Sequence, residues 1–103
     1  MMIARWRIEA RFGQKQAALS LMKEWMKEVG SAVGFGDKAL RMVTGSIGAL
    51  ESTIETEFQV DSLAELEAAW AKMATMPGHA AWSKKLEPHI VSGTAHWQIF
   101  RVL

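Results

Sequence analysis

Three side-chain groups in this chain can do chemistry. The first is a histidine. His79 follows Met76-Pro77-Gly78 and precedes Trp82 by three residues, so it stands where an irregular stretch meets a helical pattern. A neutral imidazole held there by a scaffold can serve as a general base, carry a proton, or ligate haem iron. The plainer reading is an exposed turn histidine. His89 follows Pro88 in a connection, and His96 lies on the polar face of the last strand. The three show no metal-ligand spacing, such as two histidines four apart on one helix, so no resident metal is expected. The chain has no cysteine, which excludes thiolate nucleophiles, disulfides and Cys-based zinc sites.

The second group is aromatic. Trp6, Trp25, Trp70, Trp82 and Trp97, joined by Phe58, can wall an apolar pocket for a flat organic ligand. They can equally fill a core, where large aromatics contribute most of the packing. Five indoles in 103 residues are hard to pack densely, so at least one is expected to border a cavity. The third group is charged. Arg5, Arg7 and Arg11 alternate with Ala4, Trp6, Ile8 and Ala10, while Glu51, Glu55 and Glu57 alternate with Ile54, Phe58 and Val60. Arginine forks on such a face can hold an anionic ligand. More simply, they pair with the carboxylates and fix strand register. A carboxylate pair working as acid and base needs one raised pKa, which the alternating arginines oppose.

The elements that position these groups follow from periodicity. The period of two marks half-buried strands, from about Ile3 to Phe12 and from Glu51 to Val60. A helix is predicted from about Gln14 to Val29, with Ala18, Leu21, Met22, Trp25 and Val29 on one face. Gly30 is its natural left-handed stop. Ser31 to Lys38 reads as a loop. Its Gly34-Phe35-Gly36 lacks the Lys-Ser/Thr continuation of a phosphate loop, so a mobile connection is expected. Another strand, Leu40 to Ile47, turns back at Gly48-Ala49 into the Glu51–Val60 strand as a hairpin. Ser62 and Glu65 form a capping box for the second helix, whose face is Leu63, Leu66, Trp70 and Met73. Pro77-Gly78 interrupts the pattern. A turn or short helix comes next, from His79 to Leu86, Pro88 closes it, and a last strand runs from Thr94 to Leu103.

Residues 1–103 therefore read as one domain of βαββαβ order, the ferredoxin-like split βαβ arrangement with a four-stranded antiparallel sheet. The crossover rule puts the third strand between the first and second. Arg5, Arg7 and Arg11 should then face Glu51, Glu55 and Glu57, each pair worth about 0.2–1 kcal/mol. Both helices should cover the face carrying Trp6, Ile8, Ile54 and Phe58, leaving the charged face open. Net charge is +1, from twelve basic and eleven acidic residues, with no basic stripe for nucleic acid. No apolar run approaches the roughly 20 residues that span a membrane. The N-terminus breaks into charge at Arg5 and Arg7, too early for a signal peptide, so a cytoplasmic protein is expected.

Residues 55–70, from Glu55-Thr56-Glu57-Phe58 to Ala68-Ala69-Trp70, resemble the third-strand-to-helix segment of the dimeric α/β-barrel proteins, in particular the NIPSNAP-like branch. Val43-Thr44-Gly45-Ser46-Ile47-Gly48 is similar to that branch's hairpin. Pro88-His89-Ile90-Val91-Ser92-Gly93 and Ile99-Phe100-Arg101-Val102-Leu103 are similar to its tail. The resemblance implies a homodimer, sheet against sheet, closing an eight-stranded α/β barrel whose interior or rims would carry Arg5, Arg7, Arg11, Glu51, Glu55 and Glu57. It also implies a pocket between helices and sheet within each subunit. The superfamily includes cofactor-free monooxygenases, haem-degrading enzymes, chlorite dismutase relatives and stress-induced proteins. Haem-degrading relatives carry a helix histidine, an early-strand Asn and a Trp. This chain has no Asn, and Trp82 rather than His79 stands near the histidine's place.

The leading expectation is a homodimer that binds a small apolar organic molecule in the layer of Trp6, Trp25, Phe58, Trp70, Trp82 and Trp97. His79 is then its candidate catalytic, proton-transferring residue. That makes a cofactor-independent monooxygenase or isomerase the reaction class to consider. Two alternatives stand beside it: a non-enzymatic stress-response or interaction homodimer, and a haem-binding protein. Fold analogy does not choose among them.

Overall fold

In the computed structural model the backbone of all 103 residues is described, together with every side chain but that of Leu40. The alternating segment at the start becomes strand β1, Met2–Glu9. Helix α1 follows, Lys15–Trp25, and runs into a wider π turn, Met26–Gly30. Strands β2, Ala39–Thr44, and β3, Thr53–Val60, form the hairpin. Helices α2, Leu63–Ala74, and α3, Pro77–Leu86, come next, then a short 3-10 turn and strand β4, His96–Arg101. All pairings are antiparallel and the sheet order is β2-β3-β1-β4. This is the α+β ferredoxin-like arrangement that the βαββαβ order predicts. No helix among the described residues is long and apolar enough to cross a membrane.

The hydrophobic pattern sets the register. Ala4 lies opposite Phe58, Ile8 opposite Ile54, Arg5 opposite Glu57 and Arg7 opposite Glu55. A slip of one residue would exchange the two faces and bury the charges. One face is therefore covered by the helices, with Ala4, Ile8, Ile54, Phe58 and Val60 buried among Ala18, Met22, Leu66 and Leu86. Among the described residues no element packs over the other face.

The charged ladder is shorter than predicted. The β1–β3 pairing ends at Glu9 opposite Thr53, so Arg11 and Glu51 do not meet. Glu51 falls in the hairpin turn with its side chain exposed, 4.0 Å from Lys15 Nζ. Arg11 turns the other way: its Nε donates to the Ile90 carbonyl at 2.9 Å. The cause is local. Beyond Glu9 the hairpin turn leaves one last bond on the β3 side, Ala10 N–H to Ser52 O, while the segment before β4 holds the other edge through an Ala10–Ile90 bridge and bonds from Arg11 N–H to His89 O and Val91 N–H to Glu9 O.

One glycine acts otherwise than predicted. Gly30 is not a left-handed stop; it lies inside the π turn, and Gly34 carries the positive φ of 90°. What Gly30 supplies is room, since a Cβ there would sit 3.1 Å from the Trp25 ring. The hairpin turn is wider than a Gly48-Ala49 corner, and Ile47 is exposed within it rather than in β2. Gly45 passes so close to the Leu50 carbonyl that a Cβ would stand 1.8 Å from its oxygen.

The second helix begins as predicted. Ser62 Oγ accepts the Glu65 N–H at 3.2 Å, and the Glu65 carboxylate accepts the Asp61 N–H at 2.7 Å. Pro77 does not reduce the next segment to a turn. It sits in the first turn of a ten-residue helix, where its missing N–H has no intrahelical partner to lose.

Candidate functional site

Between the helices and the sheet lies a cavity of about 620 Å³. Trp6 from β1, Phe58 from β3 and Trp97 from β4 form its floor, and Trp25 from α1, Trp70 from α2 and Trp82 from α3 face them. His79, on the first turns of α3, also lines it. The helix and strand periods project these seven dispersed residues into one layer. The rings form a connected set, with centroid separations of 6.0 Å for Trp6–Trp82 and for Trp25–Trp82, 6.1 Å for Trp25–Phe58, 5.9 Å for Phe58–Trp97 and 5.5 Å for Trp70–Trp97. Trp25 and Trp82 are buried, whereas Trp6, Trp70 and Trp97 are half-buried. The tryptophans are thus core on one side and cavity wall on the other. Met22, Met73 and Leu86 complete the apolar wall, and Arg11, Ser83, Glu87 and Ser92 stand at the exposed mouth.

The polar atoms of this layer fix His79. Trp82 Nε1–H donates to the Leu21 carbonyl at 2.6 Å, tying α3 to α1. Trp25 Nε1–H donates to His79 Nδ1 at 3.0 Å. An indole N–H can only donate, so Nδ1 holds a lone pair and the imidazole proton resides on Nε2. The His79 ring stacks on Trp82 at 5.9 Å. Burial pushes the His79 pKa below its ordinary value, and the ring is neutral at pH 7. The folded state binds this proton less readily than the unfolded chain, so the group's contribution to stability is present above the unfolded histidine pKa of about 6.5. It is lost as pH falls through the lower folded value.

This tautomer decides what the residue can do. Its one basic nitrogen is occupied by Trp25, so His79 offers the cavity a neutral N–H donor instead of the lone pair that a general base or a haem ligand requires. Such a donor suits a developing oxyanion on a bound molecule. The other histidines are held locally, His89 Nδ1 2.7 Å from Gln14 Oε1 and His96 Nδ1 2.7 Å from the Thr94 carbonyl. Among the described residues no three His, Asp or Glu side chains converge as a metal site would need.

On the open sheet face, Arg5 and Arg41 each approach the Glu57 carboxylate at 2.8 Å, and Arg7 lies 3.7 Å from Glu55. Arg5 also covers the Phe100 ring at 4.8 Å. Glu57 is 3% exposed although no described element covers this face. The Arg41 hydrogen bond, opposed by burial and helped by Arg5, holds its pKa below the usual carboxylate range. The stability this supplies is present above the unfolded pKa of about 4.3 and is lost as pH falls through the lower folded value. Glu57→Gln should cost about 2 kcal/mol at pH 7, the scale of hydrogen bonds to a charged group. It should also shrink the stability difference between pH 7 and pH 3 in urea melts, and an unchanged acid limb would place that pH dependence elsewhere.

Sequence reasoning missed Phe35. Far from marking a mobile connection, it is 2% exposed, stacks on Phe58 at 4.7 Å and pins the Gly34–Gly36 loop under the layer. A lone aromatic between loop glycines was the available signal. The mouth position of Arg11 was also missed, because strict alternation assigns it to the other face.

No protein-family model matches the chain, and no curated protein matches it. Solved structures do. A NIPSNAP family protein of unknown function from Agrobacterium tumefaciens superposes with a TM-score of 0.82 at 17% identity, over 99% of this chain and 87% of that one. A second NIPSNAP family protein from Agrobacterium tumefaciens gives 0.80 at 22% identity, over 99% and 86%. A structure of an antibiotic biosynthesis monooxygenase gives 0.65 at 8% identity, over 100% and 99%. The fold of this chain is therefore the one that NIPSNAP family structures share with an antibiotic biosynthesis monooxygenase.

Proposed function

We propose that this protein binds a flat, largely apolar organic molecule in the Trp-walled cavity and uses His79 as a neutral hydrogen-bond donor to an oxygen of that molecule. The observation that carries the reading is the Trp25–His79 bond inside an aromatic cavity, because it fixes an imidazole N–H donor in an apolar site. At about 620 Å³ the cavity lies within the range of roughly 300–1,000 Å³ typical of small-molecule sites. That volume counts against a purely structural layer, as an interaction module alone would have. A cofactor-independent monooxygenase or isomerase is the reaction class that fits, since an oxyanion is what such a donor stabilises. The fold likeness to a protein named as a monooxygenase supports the first.

The functional unit is a homodimer paired through the open sheet face. Its support is the self-complementary set of Arg5, Arg7, Arg41, Glu55 and Glu57, with Arg5 Nε buried without a hydrogen bond, 4.0 Å from Glu55, on a face that no described element covers. Native mass spectrometry should give twice the 11.5 kDa chain mass, and a monomer at micromolar concentration would reject the dimer. Titration with the neutral probe N-phenyl-1-naphthylamine should quench tryptophan emission saturably at one probe per chain. Absence of saturation would reject the binding site.

A further inference from the structure

We propose that the mouth of this cavity is an anion subsite and that the ligand carries a carboxylate-like group bound by Arg11, an inference that rests on the cavity being a ligand site. Arg11 sits at the end of the first strand segment, where the chain turns from β3 toward the segment before β4. Its Nε is spent on the Ile90 carbonyl at 2.9 Å, which anchors the guanidinium at the rim and leaves the two Nη groups as a fork. Arg5, Arg7 and Arg41 each have a carboxylate within 4.0 Å, but among the described residues Arg11 has none. Such a planar fork matches a carboxylate in two-point geometry.

The surroundings leave room for that group. Ser92 and Gly93 line the same mouth two and three residues after the carbonyl that anchors Arg11. A Cβ on Gly93 would meet nothing within 4 Å, so the turn is open at that point. Deeper in, His79 lines the cavity with its proton on Nε2. The cavity thus offers two donor groups in want of acceptors, the Arg11 fork and His79 Nε2–H. Glu87 is the one carboxylate in the lining, and it makes no ion pair with Arg11. The balance of donors selects an aromatic ring system bearing acceptor oxygens and an anionic head.

The test compares isosteric probes, 2-naphthoate and 2-naphthamide, by tryptophan quenching at low salt. The naphthoate should bind about tenfold more tightly, the scale of one hydrogen bond to a charged group, and 0.5 M salt should shrink that margin. Arg11→Gln should abolish the preference, and an unchanged urea midpoint and tryptophan emission spectrum would report a folded pocket. Glu87→Gln should widen it. Equal affinity for the two probes would overturn the anion subsite and leave the cavity reading standing. Binding of neither would overturn both. Tighter binding of 2-naphthylmethylammonium than of naphthoate would assign the mouth to Glu87 and a cation instead.

Discussion

Phe58→Ala is expected to lower the unfolding free energy by about 4 kcal/mol, within the range of phenylalanine-to-alanine changes in cores. Phe58 is 1% exposed, two residues from the end of β3, and touches Phe35, Trp25 and Trp97. Those neighbours come from the loop before β2, from α1 and from β4, so no single element can move in to fill the void. The loss is large against a total stability of about 5–15 kcal/mol. Urea denaturation should show a lower midpoint with an unchanged slope. Because the void opens onto an existing cavity, a saturating aromatic ligand should restore part of the lost stability by binding only the folded state. A cost under about 1 kcal/mol would mean that the layer collapses, and that the cavity walls are not rigid enough to select a flat ligand.

His79→Ala should lower turnover about 100-fold, the loss expected on removing one donor to a developing oxyanion. Dioxygen uptake with a flat activated phenol such as 1,4-naphthalenediol measures it. His79→Gln separates the roles: its side-chain amide can replace the Nε2–H donor but not a base, so it should recover part of the rate. Activity should be constant above the folded His79 pKa and fall as pH drops through it, since protonation places a proton on Nδ1 and expels the Trp25 hydrogen bond. Trp25→Phe removes the fixing N–H and should reduce the rate while leaving binding of a neutral probe within a few fold. A rate that ignores His79→Ala would take the histidine out of the mechanism and leave a binding protein.

Much of this arrangement is legible in the residues alone. Alternation over two strands, the Ser62–Glu65 cap and the βαββαβ order determine the elements, the sheet order and the pairing of Arg5 with Glu57 and Arg7 with Glu55. These are local or pairwise rules, and a period of two or 3.6 residues states them directly. Tertiary structure decided what depends on distant contacts. The end of the β1–β3 ladder turned Arg11 from the charged face to the cavity mouth, because the hairpin turn ends the β3 edge there while the segment before β4 still holds the other edge. Phe35 became core because Phe58 and Trp25 stand above an irregular loop that has no period to read. His79 was visible as a candidate, but its tautomer was set by an indole 54 residues away, and with it the change from prospective base to donor. Sequence patterns carry which face a side chain takes; which atom of that side chain is left free is settled only when the partner from another element arrives.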